Sequence, residues 1–377
     1  MDPVWMPAWH QRWRVVRAAR NAVRSAFFGV MESAARTDEA RSIVSEMLGD
    51  AVRSRAALPA SALGHKVPYP ELGRAHADIL NGLVVPRRPV FITARFRSGS
   101  TLLWNLFRHV DGCTAYYEPL NERRWFDAQH RGRRIDRTHR HVDDYWREYE
   151  GLEDLGRHYR EDWIRRDLHM DEQSWDPSLA AYVRLLVDRA PGRPVLQFNR
   201  IDFRLPWFRH VFPEATIVHL YRHPRDQWCS TLVNWADCPP SCTLAEFAEH
   251  DGFYLLTWAA DLKYRFPFLE PAAAGHPYRL FYLIWKLSFW YGAAYAHHSL
   301  SFEDLVARPE IELQRLFRTT AIDDPDITRL AALIEPAPSR WPRYASHEWF
   351  SAHEAACEDV LREFFGASGV QRAQKLA

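Results

Sequence analysis

The chain has 377 residues, of which 47% are hydrophobic, and its formal net charge at pH 7 is +1. The hydrophobic fraction predicts a globular fold with a sizeable core and argues against a disordered chain. Because positive and negative charges nearly cancel, a chain-wide field for nucleic acid or membrane is not expected, and any binding of anions must be local.

Five cysteines are scattered along the chain. An odd number without a regular framework indicates free thiols in a reducing compartment. Cys238 and Cys242 have no further Cys or His pair at ligand spacing, so a zinc site is not expected. No secretory signal region opens the chain, and the most apolar run, 280–296, carries Lys286 and falls short of the about 20 residues that span a bilayer. We therefore expect a cytoplasmic protein without a transmembrane segment.

Residues 1–85 are predicted to form a helical extension and linker ahead of an α/β domain at 86–377. Trp5, Trp9 and Trp13 recur at helical spacing and are followed by several arginines. Two uses of this helix are open, contact with a membrane surface and pairing in a homodimer. Packing against the domain is the preferred interpretation, because an amphipathic stripe usually covers a core.

The segment that follows has the order strand, polar turn, helix. Residues 90–94 are apolar and β-prone, which predicts a buried parallel strand, and apolar residues recur at helical spacing over 102–110. The turn between them contains Arg97, Ser98, Gly99, Ser100 and Thr101. Free backbone N–H groups and the positive end of a helix dipole would meet there, which predicts a phosphate or sulfate site. The alternative is an ordinary crossover with polar turn residues.

The rest of the chain alternates strands with helices. Further strands are predicted at 113–117, 194–198, 215–221 and 299–302, and helices at 207–212, 227–235, 244–264, 280–298, 309–319, 326–334 and 353–365. A polar insertion, predicted to be helical, occupies 121–190. This alternation predicts an α/β protein with a P-loop-like three-layer fold and a mostly parallel sheet of about five strands, helices covering both faces.

Ligands of such sheets bind beyond the carboxyl ends of the strands. Arg97, Glu118 and Arg222 each come directly after a predicted strand, so they are expected to share one site. Ser230 lies eight residues after Arg222, about two helical turns on, where the pair can hold a second phosphate. Alternatively, Arg222 pairs with a local carboxylate such as Asp226 and Ser230 only packs.

Together these stretches resemble the sulfotransferase superfamily that uses 3′-phosphoadenosine 5′-phosphosulfate (PAPS). FRSGSTLL at 96–103 resembles its 5′-phosphosulfate loop, and VHLYRHPRDQWCS at 218–230 resembles its 3′-phosphate motif. HSLSFEDLVARPE at 298–310 resembles the stretch that closes the core, with Phe302 in place of a tyrosine. YYEP places Glu118 at the position of the acidic base of the protein-tyrosine and carbohydrate branches.

The chain also departs from the family's cytosolic branch. That branch has a lysine where Arg97 stands, whereas an arginine there is similar to carbohydrate, protein-tyrosine and many bacterial members. Its catalytic histidine and its glycine-lysine nucleotide loop have no clear match. Arg340 and Trp341 are candidates for that loop by position only.

The resemblance implies transfer of a sulfuryl group from PAPS, as co-substrate, to a hydroxyl or amine of an acceptor by in-line displacement. It implies that Arg97 and Ser98 to Thr101 hold the 5′-phosphosulfate and that Arg222 and Ser230 hold the 3′-phosphate. No metal is needed, because arginines and helix dipoles would supply the positive charge.

Glu118 is the expected general base. A structural salt bridge with Arg123 or Arg95 is the competing interpretation, and His109 and His223 are lesser candidates for the base. The arginine-, histidine- and aromatic-rich segment 123–175 is expected to shape the pocket for the acceptor, a carbohydrate or another small molecule.

Two other functions remain open at this point. A P-loop kinase-type phosphotransferase would need a lysine in the turn and a carboxylate for Mg²⁺ after a strand, but the turn has a single glycine and no lysine, and no clear Walker B aspartate is found. A nucleotide-binding relative without catalysis would keep the phosphate sites, and Glu118 beside Arg97 argues against it.

Overall fold

In the computed structural model, the described residues are 26, 29, 30 and 88–376, with side chains described up to residue 366. The chain divides into two compact units, residues 1–57 and 58–377, and the described fold belongs to the second. The predictions for the N-terminal helix at Trp5 to Trp13, its membrane contact and its use in a homodimer lie outside the described residues.

Five parallel strands form the centre of the described fold, as predicted. They are β1 (Val90–Ala94), β2 (Cys113–Tyr117), β3 (Arg193–Phe198), β4 (Thr216–Tyr221) and β5 (His298–Ser301). Their order in the sheet is β2-β3-β1-β4-β5, so β1 pairs with β3 on one side and with β4 on the other. The chain therefore crosses the sheet in opposite directions from β1, which opens a crevice at the carboxyl end of that strand.

Helices connect the strands and complete the α/β fold. They are α1 (Ser100–Arg108), α2 (Pro177–Arg189), α3 (Leu205–Val211), α4 (Pro224–Thr231), α5 (Leu244–Ala248), α6 (Leu255–Leu262), α7 (Pro271–Ala274), α8 (Pro277–Tyr295), α9 (Phe302–Ala307), α10 (Pro309–Thr320), α11 (Ile327–Ala331) and α12 (His347–Leu376). One hydrophobic core surrounds the sheet and α1 to α3, and a second lies among α4, α6, α8 and α12.

The insertion at 121–190 is helical only in part, which corrects the prediction. It contains three short 3-10 helices (Arg147–Tyr149, Glu153–Arg157 and Glu161–Ile164), then α2, and is otherwise irregular. Asp127, Asp136 and Asp144 each accept a hydrogen bond from the backbone N–H two residues later. Such side-chain bonds offer the backbone an alternative to helical pairing, so they favour turns.

The predicted helix at 244–264 is also interrupted. Asp251 accepts the backbone N–H groups of Leu255 and Leu256 at 2.9 and 2.8 Å, which caps α6 as a separate helix. Tyr254 just before it has a φ of 61°, outside the helical region. A capping carboxylate inside an apolar pattern thus divides one predicted helix into two.

The apolar run at 280–296 lies in α8, a helix of the second core. Pro277 in its first turn and the His276 side chain, which accepts the Tyr278 N–H, fix its start. The charge of Lys286 in this apolar helix is paired, because its Nζ lies 2.8 Å from the Glu358 Oε1. Among the helices of residues 88–376, none is both long and apolar enough to cross a membrane.

Candidate active site

The turn after β1 leaves the first turn of α1 open to an anion. Gly99 is the residue before the helix, with a φ of 97°, and so supplies no capping side chain. No acidic residue follows in the first turn, and the first backbone bond of the helix runs from the Leu103 N–H to the Gly99 carbonyl oxygen. The preceding N–H groups of α1 and the Ser100 hydroxyl therefore remain as donors at the positive end of the helix dipole, with the Thr101 hydroxyl beside them.

Phe302, at the start of α9, packs directly on this turn. A Cβ atom at position 99 would overlap the Phe302 ring, so only glycine permits the contact. The same ring lies under the Arg222 guanidinium, 4.8 Å from its centroid. The carboxyl ends of β1, β4 and β5 are thus joined by one aromatic side chain.

Arg97 and Arg222 meet at Ser230. The Arg97 Nε donates to the Ser230 carbonyl oxygen at 3.0 Å, and the Arg222 Nη1 donates to the Ser230 Oγ at 3.2 Å. Arg222 also donates to the Arg97 carbonyl oxygen at 3.2 Å. Two segments more than a hundred residues apart in the sequence therefore form one cationic corner.

Arg222 has positive charge that its protein neighbours leave uncompensated. Within residues 88–366 it forms no ion pair, and its Nε is buried without a hydrogen-bond partner. Asp226, its predicted alternative partner, instead accepts hydrogen bonds from Ser339, Arg340 and Trp341. Burial lowers the pKa of Arg222, against the attraction of Asp226 and Glu303. An anionic ligand would offset this cost of holding a cation away from water.

Glu118 lies buried at the end of β2 and is held by three donors. Asn199 donates to its Oε1 at 2.6 Å, while Asn121 and Arg200 donate to its Oε2 at 2.5 and 2.9 Å. Glu118 therefore forms a buried salt bridge, as in the competing interpretation, but its partner is Arg200 and not Arg123 or Arg95. The donors fix the orientation of the carboxylate and leave about one of its four lone-pair sites unused.

A cavity of about 320 Å³ connects these groups. Its lining includes every predicted site residue except Ser98: Arg97, Gly99, Ser100, Thr101, Glu118, Arg222 and Ser230. Ser98 is fully buried, and its hydroxyl donates to the Arg95 carbonyl oxygen at 2.7 Å, so its side chain shapes the turn. The structure thus brings both predicted phosphate motifs and the candidate base to one cavity.

The sequence of this region also matches a known family. Residues 89–326, which are more than half of the chain and contain all five strands, match the model of the sulfotransferase family. The chain belongs to the sulfotransferase family. A comparison with curated proteins gives no match.

Solved structures similar to this sulfotransferase-family chain are bacterial sulfotransferases. One from Mycobacterium avium is 15% identical, with a TM-score of 0.39 over 76% of this chain and 79% of that chain. One from Mycobacterium tuberculosis is 17% identical, with a TM-score of 0.37 over 78% and 81%. One from Alicyclobacillus acidocaldarius is 15% identical, with a TM-score of 0.36 over 75% and 96%. At these scores the family assignment rests on the sequence match.

Several residues that line the cavity or hold Glu118 in this sulfotransferase-family chain were not predicted. Asn199 and Arg200 directly follow β3, so the strand-end rule that selected Glu118 could also have found them. Asp136 and His139 come from the irregular insertion, where no periodic pattern marks them. Asp136 pairs with the Arg97 guanidinium at 3.2 Å, so the insertion reaches the turn after β1.

The proline-rich loop at 336–342 forms another wall of the cavity. Pro336, Ala337, Pro338 and Arg340 line it, whereas Trp341 lies against the Arg225 guanidinium, outside the lining. Of the two positional candidates for nucleotide contact, the structure therefore places only Arg340 at the cavity.

The two lesser base candidates lie elsewhere. The His109 Nδ1 contacts the Asn105 carbonyl oxygen at 2.8 Å at the far end of α1, and His223 is exposed; neither lines the cavity. Within the described part of the chain, no group of three or more His, Cys, Asp or Glu side chains is arranged to hold a metal ion. All five cysteines are free thiols, and four of them are buried.

Proposed function

We propose that this chain transfers a sulfuryl group from PAPS to a hydroxyl or amine of an acceptor. The observation that carries the proposal is the meeting of Arg97 and Arg222 at Ser230, because it brings the turn after β1 and the Arg222–Ser230 pair, two candidate anion sites, to one cavity. A 3′,5′-bisphosphorylated nucleotide presents two such anions. Membership of the sulfotransferase family supports sulfuryl transfer as the reaction.

The 5′-phosphosulfate is assigned to the turn after β1. The open N–H groups of α1 and the hydroxyls of Ser100 and Thr101 would bind the phosphate, and Arg97 would neutralise charge on the bridging oxygen. In the structure the Arg97 guanidinium also contacts Asp136 and Thr138, each at 3.2 Å. The incoming anion would therefore compete with Asp136 for this cation.

The 3′-phosphate is assigned to Arg222 and Ser230. Arg222 has no carboxylate partner among the described side chains, and a phosphate would supply the missing negative charge. Arg340 lines the same cavity from the proline-rich loop and offers a second cation to the nucleotide.

Glu118 is assigned as the general base. The acceptor oxygen or nitrogen attacks the sulfur and its proton passes to Glu118. The S–O bond to the 5′-phosphate breaks, and its electron pair leaves with 3′-phosphoadenosine 5′-phosphate (PAP). Such proton transfer contributes about 10²–10⁴-fold to a rate. Asn199, Arg200 and Asn121 would keep the carboxylate in position for this step.

The acceptor is assigned to the side of the cavity beside Glu118. Phe96, Tyr117 and Phe253 supply apolar surface to the cavity lining, and the insertion contributes Thr138 and His139. Aromatic faces next to hydrogen-bonding groups suit a carbohydrate or another small molecule with hydroxyl groups.

Calorimetric titration with PAP tests the nucleotide site, with ATP plus Mg²⁺ as the comparison. We expect PAP to bind preferentially and Arg222→Ala to weaken it by at least about 30-fold, since a charge-paired group is removed. Arg184→Ala is the matched control, because Arg184 is exposed on α2 and does not line the cavity. Its affinity for PAP should equal that of the wild type.

The same titration separates the competing functions. Tight binding of ATP with indifference to the 3′-phosphate would refute the sulfotransferase proposal and favour a kinase-type phosphotransferase. Binding of PAP without sulfuryl transfer to any hydroxyl or amine in an acceptor screen would favour a nucleotide-binding relative without catalysis.

A further inference from the structure

His139 joins the insertion to the turn after β1 through a hydrogen-bond relay, which runs from Tyr145 through His139 and Thr101 to Tyr117. Its Nδ1 lies 2.6 Å from the Tyr145 hydroxyl, and its Nε2 lies 3.2 Å from the Thr101 Oγ1. Thr101 Oγ1 in turn lies 2.9 Å from the Tyr117 hydroxyl. Both His139 and Thr101 line the cavity.

The partners determine where the hydrogens of this chain lie. The Tyr145 oxygen accepts the backbone N–H of Asp136 at 3.0 Å, and the His139 Nδ1 is the one acceptor that the described residues offer to the Tyr145 hydrogen, so we assign that hydrogen to Nδ1. A neutral imidazole that accepts at Nδ1 carries its proton at Nε2. The His139 Nε2–H therefore donates to Thr101, and the Thr101 hydrogen is left to donate onwards.

The surroundings of His139 favour its neutral form. Burial lowers its pKa to about 4, with Arg97 acting in the same direction and the Asp136 carboxylate opposing them. Tyr117 and Tyr145 face the ring from β2 and the insertion. At neutral pH the ring is thus a hydrogen-bond donor with a fixed direction and a weak proton acceptor.

We propose that His139 is a positioning residue that makes Thr101 a hydrogen-bond donor to the anion at the turn after β1. By donating to the Thr101 oxygen, it prevents the Thr101 hydrogen from turning towards the imidazole. That hydrogen can then point to Tyr117, or to a bound 5′-phosphate. The identity of the anion in this inference rests on the proposed function. The direction of the hydrogen bonds does not depend on that function.

The direction of the relay also means that His139 is not the general base. A base must accept the acceptor's proton, but the cavity-facing nitrogen of His139 already carries a hydrogen. Glu118 therefore remains the group assigned to the proton, and His139 acts through Thr101. Chains of hydrogen bonds that all point one way strengthen each other in a site of low dielectric constant.

Nitrogen-15 NMR of the unliganded full chain tests the direction of the relay. We expect a single neutral tautomer for His139, with hydrogen on Nε2 and none on Nδ1, at neutral pH. In Tyr145→Phe, which lacks the hydrogen donated to Nδ1, the tautomer should become mixed. A hydrogen on Nδ1, or a charged ring, in the wild type would overturn the proposal.

Titration with PAP tests the effect on the anion. His139→Ala should weaken binding about tenfold, the scale of one hydrogen bond, whereas His139→Gln should keep affinity within about threefold because its amide nitrogen can replace Nε2–H. In a Thr101→Val background, His139→Ala should change the affinity hardly at all, because both changes break the same link. Equal losses with and without the Thr101 hydroxyl would overturn the proposal.

The NMR experiment tests the relay and the PAP titration tests the proposed function, so one can be refuted without the other. If the wild type does not bind PAP, the proposed function is lost, while the tautomer of His139 still decides whether the relay exists. If PAP binds and the tautomer is wrong, the relay is lost and the proposed function stands. Thermal unfolding of each variant shows that the folded protein is being compared.

Discussion

At position 99, both the backbone conformation and the packing require glycine. Gly99 has a positive φ of 97°, and its Cα lies so close to Phe302 that a side chain would overlap the ring. Phe302 also supports the Arg222 guanidinium from below. A side chain at this position would therefore disturb the turn that is assigned to the 5′-phosphate and the cation that is assigned to the 3′-phosphate.

We expect Gly99→Ala to abolish measurable binding of PAP and to destabilise the fold. Ala at positive φ costs about 1–2 kcal/mol, and overlap in a packed site costs about 1–3 kcal/mol more. Gly112→Ala is the matched control, since Gly112 has a φ of 78° but a Cβ there meets no atom within 4 Å.

Urea unfolding and calorimetry of both glycine variants measure the two effects. Gly112→Ala should be destabilised only by the cost of placing alanine at a positive φ, and it should bind PAP normally. If Gly99→Ala bound PAP as tightly as Gly112→Ala does, the close packing of Phe302 on the turn would have no role in binding.

Among the elements, α4 connects the cavity to the C-terminal part of the chain. Asp226 accepts the backbone N–H groups of Arg340 and Trp341 at 2.6 and 3.2 Å, and Arg225 forms a two-pronged ion pair with Glu354 of α12. The motif after β4 therefore has two roles. Arg222 lies at the cavity, whereas Asp226 holds the proline-rich loop and Arg225 holds α12.

We expect Asp226→Ala to release the proline-rich loop without unfolding the sheet. Hydrogen exchange should accelerate at the amides of Arg340 and Trp341, which lose their acceptor, and PAP should bind about tenfold more weakly because Arg340 is no longer held at the cavity. Ser339→Ala is the milder control, since it removes one donor to Asp226 and leaves the two amide bonds.

Hydrogen exchange monitored by mass spectrometry separates this effect from general destabilisation. Peptides from β1 and β4 should keep their protection in Asp226→Ala. Unchanged exchange in the loop would mean that other contacts hold it and that Asp226 does not position Arg340.

The elements differ in how well their sequences determine them. Strands β1 to β4 were predicted to within about a residue because apolar β-prone runs have few alternatives when both faces are buried. The insertion and the 244–264 helix were not, because single carboxylates such as Asp136 and Asp251 accept backbone N–H groups and end helical pairing. A periodic pattern cannot show where such a local bond will form.

The sheet as a whole explains which site residues were predictable. Arg97, Glu118 and Arg222 follow three parallel strands, and parallel strands end at one edge, so their meeting follows from topology. His139 reaches the same cavity from an irregular segment, and its place depends on contacts with Tyr145 and Thr101. Those contacts exist only after the chain has folded.

The described fold also contains several histidines that burial keeps neutral. The pKa of His219 is lowered to about 3, and the pKa values of His139, His276 and His297 are each lowered to about 4. For each of them the unfolded chain binds a proton more readily than the folded one. Their contribution to stability is therefore full above about pH 6.5 and is lost as the pH falls towards the folded pKa.

We expect the free energy of unfolding to fall between pH 7 and pH 5, and His219 to account for about 2 kcal/mol of that fall. His219 is the clearest case, because it is almost fully buried and burial alone lowers its pKa. Asp202 acts in the opposite direction, since burial raises its pKa, so variants must be compared with the wild type at each pH.

Urea unfolding of His219→Gln should show a smaller decline in the free energy of unfolding between pH 7 and pH 5 than the wild type shows, whatever the stability of the variant at pH 7. His210→Gln, at an exposed position, should leave the decline unchanged. An equal decline in all three proteins would mean that His219 is protonated in the folded state and that its surroundings admit water.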